Sequence, residues 1–157
     1  MIKVSWAGQS CFQISTSSGK DNTINVVVDP FGEIGLKLPN FEADILLITH
    51  SHEDHNNVKA IKGNLFLIDG PGEYEVKGVS IMGIATFHDP EQGAKRGTNT
   101  IYRVEIDNIS LLHCGDLGHT LSSQIVDTLR GVDVLMLPVG GVYSLDPRAA
   151  REVLSEI

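Results

Sequence analysis

The sequence predicts an α+β domain. Short apolar runs separated by Gly-rich turns recur along most of the 157 residues, and segments with helical periodicity are few. The strand-type runs also fall in two groups, each followed by helices, which is the pattern of sheets with helices packed outside. A chain of this length fits one domain, 1–157, and can bury most of its apolar surface. It needs neither disulfide nor metal merely to hold a core.

Strands are expected over Ile2–Trp6, Cys11–Ser15, Asn25–Asp29, Ile45–Thr49, Leu65–Asp69, Val79–Phe87, Thr100–Ile106, Ser110–Cys114 and Val134–Pro138. Val26-Val27-Val28 and Ile45-Leu46-Leu47-Ile48 are unbroken apolar runs and suit strands covered on both faces. Ile101, Val104 and Ile106 stand among polar residues, which suggests one wetter face. A short helix is expected over Asn57–Ile61. Leu121, Ile125, Val126 and Leu129 share one face of a second helix, which Gly131 is placed to end. Asp146 can cap a third helix with Pro147 in its first turn and a stripe of Ala149, Ala150, Val153, Leu154 and Ile157. Both stripes read as core. Asp89–Asn99 is the longest irregular polar stretch; no repeat, linker or low-complexity segment interrupts the chain.

Composition narrows the function. There are 12 basic and 20 acidic residues, a net charge of −8. That balance opposes broad binding to nucleic acid, which draws its affinity from Lys and Arg against phosphate. It leaves room for a small phosphate-bearing substrate, because a bound divalent cation reverses the local sign. Two cysteines, Cys11 and Cys114, are too few for a disulfide framework. The N-terminal residues lack the apolar core of a signal peptide, and no run approaches the roughly 20 apolar residues of a membrane span. The expected location is a reducing cytoplasm, with no membrane partner.

The strongest chemical signal follows the Ile45–Thr49 strand, in Thr49-His50-Ser51-His52-Glu53-Asp54-His55. His50, His52, Asp54 and His55 place four ligand-type side chains within six positions. In an extended or tightly turning segment His50 and His52 point the same way. A core gains nothing from such a cluster, since each group needs a partner once buried. The alternative is a solvated polar loop. Imidazole with carboxylate suits zinc, and also iron or manganese. A catalytic site keeps an open position for water, whereas a structural zinc is closed by four protein ligands, and the spacing here does not resemble a zinc finger.

Two further candidates lie downstream. His88 ends the Val79–Phe87 strand, and Asp116 lies where an apolar strand stops, in Cys114-Gly115-Asp116-Leu117-Gly118-His119. Alone, each reads as ordinary surface polarity or a turn. Beside the histidine cluster both become candidate ligands. His113 and His119 are left over, with a hydrogen-bonded structural role favoured for His119. Cys114 reads as a small packed residue. Lys95 and Arg96 are candidates to bind a substrate phosphate or carboxylate, the alternative being solvated loop charges.

His50-Ser51-His52-Glu53-Asp54-His55 resembles the signature of the metallo-β-lactamase superfamily, His-Xaa-His-Xaa-Asp-His after a buried strand. Val4-Ser5-Trp6-Ala7-Gly8-Gln9-Ser10-Cys11-Phe12, Asp29-Pro30-Phe31 and Cys114 to His119 make it more similar to the branch of small metal-dependent hydrolases that includes L-ascorbate 6-phosphate lactonase. The resemblance implies a four-layer αββα sandwich. It implies that His50, His52 and His88 bind a first metal, that Asp54 and His55 bind a second, and that Asp116 bridges them. It also implies that Asp29 hydrogen-bonds among the metal loops and orients ligands.

The family pattern continues past its last helix into one more strand and a final metal-binding His, whereas the sequence here ends at Ser155-Glu156-Ile157. The fold is accordingly expected without that last C-terminal strand, and the second metal site with lower affinity, for a total of one or two Zn2+ (or Mn2+ or Fe). A less covered sheet edge invites association, so a homo-oligomer is expected. A purely monomeric mass in light scattering would contradict it.

The chemistry implied is hydrolysis by a metal-activated water on a small substrate with an ester, lactone or phosphoester-type bond, with Asp54 and Asp116 as catalytic carboxylates. The alternatives are a degenerate, non-catalytic metal- or ligand-binding member and a nuclease-type member, the latter opposed by the charge. The absence of an export signal opposes β-lactam hydrolysis.

Overall fold

The computed structural model, which describes residues 1–17 and 23–157, has ten strands and two α-helices, and nine of the strands follow the expected order. Strands β1 (Ile2–Gly8), β2 (Cys11–Ser17), β3 (Thr23–Val28), β4 (Ile45–Leu47) and β5 (Phe66–Ile68) form one sheet in that order. The pairs β1–β2 and β2–β3 are antiparallel, whereas β3–β4 and β4–β5 are parallel. Strands β6 (Gly72–Val76), β7 (Val79–Phe87), β8 (Thr98–Ile106), β9 (Ile109–His113) and β10 (Val134–Met136) form the second sheet, ordered β10-β9-β8-β7-β6. Helices α1 (Ser123–Leu129) and α2 (Pro147–Glu156) follow β9 and β10. Two mixed sheets with few helices meet the α+β expectation.

The described residues fall into two compact units. The first comprises 1–70 with 75–79, and the second 71–74 with 80–157. In the first, Val26–Val28 and Ile45–Leu47 are fully buried, as unbroken apolar runs require, and Cys11, Phe31, Phe41 and Ile61 pack with Val27 and Leu46. In the second, α1 and α2 supply Val126, Leu129, Ala150 and Val153 to a core with Ile101, Leu112, Cys114 and Leu117. Asp146 caps α2 by accepting the Ala149 N–H at 2.8 Å, with Pro147 at the first turn. Ser122 caps α1 in the same way, through the Ile125 N–H.

Several expectations are corrected. Leu154 stands 62% exposed, outside the buried stripe of α2. Strand β8 is covered more fully than its alternation suggests, because Asn99, Thr100 and Tyr102 are buried along with Ile101 and Val104. The expected helix over Asn57–Ile61 is a single 3-10 turn, Val58–Ala60. Strand β6, Gly-Glu-Tyr-Glu-Val, was not expected: it has little apolar content, and its side chains are exposed or only half-buried. Its strand form follows from the two-residue turn Lys77-Gly78, where both φ angles are positive (+53° and +79°), the geometry that joins neighbouring strands into a hairpin. Asp107-Asn108 turns β8 into β9 by the same device. No helix among the described residues is long and apolar enough to cross a membrane.

Candidate metal centre

The histidine loop of the first unit begins where β4 ends. Its geometry is organised by Asp29, the residue after β3. Asp29 is fully buried and adopts a left-handed backbone (φ +47°), a conformation that Asp tolerates better than most residues. Its Oδ1 accepts the Thr49 N–H at 2.8 Å, and its Oδ2 accepts the Thr49 hydroxyl at 2.6 Å and lies 2.9 Å from His55 Nδ1. The neighbouring loops are tied as well. Gly32 N–H donates to the Glu53 carbonyl at 3.2 Å, and the Asn57 side chain donates to the Phe31 carbonyl at 2.9 Å.

This network fixes the tautomers. A carboxylate only accepts, so His55 carries its proton on Nδ1. Thr49 spends its one hydroxyl proton on Asp29, so at 2.9 Å it must accept from His50 Nδ1–H. Both rings are thereby left with Nε2 as the lone-pair nitrogen, which is the ligating form. Asp29, His50 and His55 do present polar atoms within 4.8 Å of one another. Asp29 is nonetheless better read as the orienting group than as a ligand, because both its oxygens are occupied by Thr49 and His55. His52 is exposed, its ring edge-on to His50 with centroids 4.6 Å apart. The backbone turns so that His55 N–H donates to the His52 carbonyl at 2.9 Å. That turn brings His55 Nε2 to 3.6 Å from Asp54 Oδ2.

The second unit carries His88 and Asp116. His88 is buried, and its Nε2 lies 3.3 Å from Asp116 Oδ2. The Asp116 loop is set by two residues that sequence reasoning missed. Buried Asn99 accepts the Asp116 N–H at 3.0 Å through its Oδ1, while its Nδ2 donates to Thr86 Oγ1 (2.9 Å) and to the Cys114 carbonyl (3.0 Å). Gly118 donates its N–H to the Phe87 carbonyl at 3.1 Å and passes so close to His88 that a Cβ there would lie 2.3 Å from the His88 carbonyl oxygen.

The two His–carboxylate pairs fit a metal. Two donors each about 2.0–2.1 Å from one tetrahedral zinc lie about 3.3–3.4 Å apart. The observed 3.3 and 3.6 Å match that spacing better than the range of a good N–H···O hydrogen bond. The thiols do not compete. Burial pushes Cys114 up to about 12, and burial with the nearby Asp29 charge does the same for Cys11, so both stay protonated and are poor ligands.

The remaining candidates have structural partners. His119 donates from Nδ1 to the Thr120 carbonyl at 2.7 Å and accepts the Phe87 N–H at 3.2 Å. His113 is buried and accepts the Gly115 N–H at 3.1 Å. Lys95 pairs with Glu91 at 2.6 Å. Arg96 donates to the Val142 carbonyl at 3.1 Å and lies over the Tyr143 ring, 5.1 Å from its centroid. Their loop closes around Asp89, which accepts the N–H groups of Glu91, Gly93, Lys95 and Arg96 at 2.7–3.0 Å. Burial pushes the Asp89 carboxyl upward, but these donors, Arg96 N–H foremost, hold it below its ordinary value. The loop charges are thus engaged in building the loop.

The family model for the Beta-lactamase superfamily domain matches residues 3–157. The chain belongs to the metallo-β-lactamase superfamily. It is 36% identical to a candidate Zn-dependent hydrolase of that superfamily from Thermotoga maritima, whose crystal structure it overlays with a TM-score of 0.81, covering 99% of this chain and 71% of that one. It is 27% identical to a metal-dependent hydrolase of Thermococcus onnurineus, over 98% of this chain and 79% of the relative. A second metal-dependent hydrolase, from Thermoplasma volcanium, is 28% identical over 98% of this chain and 78% of its own length. These relatives place the chain in the metal-dependent hydrolase branch of the superfamily.

Proposed function

We propose that this metal-dependent hydrolase of the metallo-β-lactamase fold cleaves an ester, lactone or phosphoester-type bond in a small substrate. The ligands in this reading are His50, His52, Asp54 and His55 of the first unit and His88 and Asp116 of the second. The observation that carries it is the pair of His–carboxylate contacts at metal-donor spacing, each fixed by its own hydrogen-bond network. Zinc is the metal proposed, as one or two ions. The donors are imidazole and carboxylate, and the Thermotoga maritima relative is described as Zn-dependent. Manganese and iron suit the same donors.

A bound divalent ion would supply a water of lowered pKa, toward about 7, and a positive charge for the substrate oxygen. The chain's own groups do the rest. Asp54 is 37% exposed and Asp116 15% exposed, so each carboxylate can reach solvent and substrate, orient a water and accept its proton. Asp29 and Thr49 keep His50 and His55 in the ligating tautomer. A small substrate rather than nucleic acid is proposed because the net charge is −8.

The test is turnover of an ester, lactone and phosphodiester panel with added zinc or manganese, by wild type and His52→Ala. His52 is exposed, so this variant should fold normally. Metal-dependent turnover that is lost in the variant is expected, and turnover unchanged by it would overturn the reading.

A further inference from the structure

We propose that Gln9 is a positioning residue for the Asp54 carboxylate, held in register by the indole of Trp6, and that it raises the metal affinity of the Asp54–His55 pair. The inference rests on the reading of Asp54 and His55 as ligands.

Gln9 lies in the turn between β1 and β2, where the pairing register shifts between Trp6 and Gly8. It is exposed, and its backbone is left-handed (φ +51°). Nothing about a turn selects Gln there, since Gly, Asn or Asp adopts that conformation at lower cost. What this side chain does is reach across 45 residues of sequence. Its Nε2–H donates to Asp54 Oδ2 at 2.8 Å. Oδ2 is the same oxygen that stands 3.6 Å from His55 Nε2.

Trp6 explains how an exposed turn holds that geometry. Its Nε1–H donates to the Gln9 carbonyl at 2.8 Å, and its ring stacks on Phe12 with centroids 6.4 Å apart. The indole is 68% exposed, a large apolar surface to leave in water. Its polar edge is spent on fixing the backbone of Gln9.

The chemistry suits a ligand's partner. An amide N–H donates to a carboxylate, yet the amide nitrogen carries neither charge nor a basic lone pair to compete for a cation. Asp54 is partly exposed and would otherwise sample several rotamers. Holding it in one before metal arrives removes part of the ordering cost of binding.

The experiment uses the full chain stripped of metal by chelator and titrated with Co2+, followed by visible absorption and by the emission of Trp6, the only tryptophan. Gln9→Met keeps the side-chain length and removes the N–H. It should weaken Co2+ binding roughly 10–100-fold, the usual effect of losing a group that orients a ligand, and alter the visible spectrum. The unfolding midpoint of the metal-free chain should not move, because Gln9 is exposed. Trp6→Phe keeps the stacking and loses the indole N–H, and should weaken binding in the same direction by a smaller factor. In the wild type Co2+ should change Trp6 emission, and in Gln9→Met that change should shrink. Wild-type affinity and spectrum in Gln9→Met would overturn the inference and leave the metal centre standing. Failure of the wild type to bind Co2+ would overturn both.

Discussion

Replacing Asp29 with Ala is expected to cost both stability and metal. The buried carboxylate accepts the Thr49 N–H, the Thr49 hydroxyl and the His55 Nδ1–H. Its removal strands at least two buried donors, each worth about 1–3 kcal/mol, and puts Ala in a left-handed conformation that costs about 1–2 kcal/mol. The sum, about 3–8 kcal/mol, should lower the unfolding midpoint by roughly 6–32 °C in a chain of this size. Metal affinity should fall roughly 10–100-fold, because neither His50 nor His55 is then held in its ligating tautomer. Asp29→Asn separates the two effects. Asn tolerates the left-handed backbone, its Oδ1 still accepts the Thr49 N–H, and its amide N–H can donate to the Thr49 hydroxyl in place of accepting from it. Its amide N–H, however, faces His55 Nδ1 and drives the imidazole proton to Nε2. That variant should keep most of its thermal stability and lose metal affinity. Calorimetry and a metal titration on the two variants decide the matter; if neither variant loses affinity, Asp29 does not organise the centre.

Gly118→Ala should be almost as damaging from the other unit. The added methyl would lie 2.3 Å from the His88 carbonyl oxygen and 2.5 Å from the Asp89 nitrogen, and both obstacles are backbone. Overpacking of this kind typically costs about 1–3 kcal/mol and more where backbone must move. The displaced segments carry His88 and Asp116, so metal-dependent turnover should fall at least tenfold alongside stability. Gly131→Ala is the control. Gly131 has a positive φ (+78°) but open space around it, so only the backbone penalty of about 1 kcal/mol applies and activity should persist. Equal activity loss in both variants would show that the close approach at His88 is not what matters.

These two residues also show what the sequence made legible. The His50–His55 cluster could be read because its four donors are local, following an unbroken apolar run that suits a buried strand. Asp29 and the pair His88 and Asp116 were legible through the resemblance, and their positions at strand ends were readable on their own. Gln9, Asn99 and Gly118 were not. Each acts through partners distant along the chain, and the composition around each is that of an ordinary turn or strand. Asn99 looks like a polar residue at the end of an irregular loop; only the pairing of β7 with β8, which sets Thr86 opposite Asn99, turns it into a buried hub. Strand β6 escaped notice for a related reason, since its strand form depends on a two-residue turn and not on apolar content. Leu154 shows the converse error: helical periodicity marked it as core, and no element covers it among the described residues.

The most direct test of the account is the metal content of the purified chain, measured by elemental analysis beside His52→Ala. One to two equivalents of zinc, manganese or iron in the wild type, falling in the variant, is the predicted result. No metal in wild-type protein purified without chelator and then offered zinc and manganese would contradict the account at its centre.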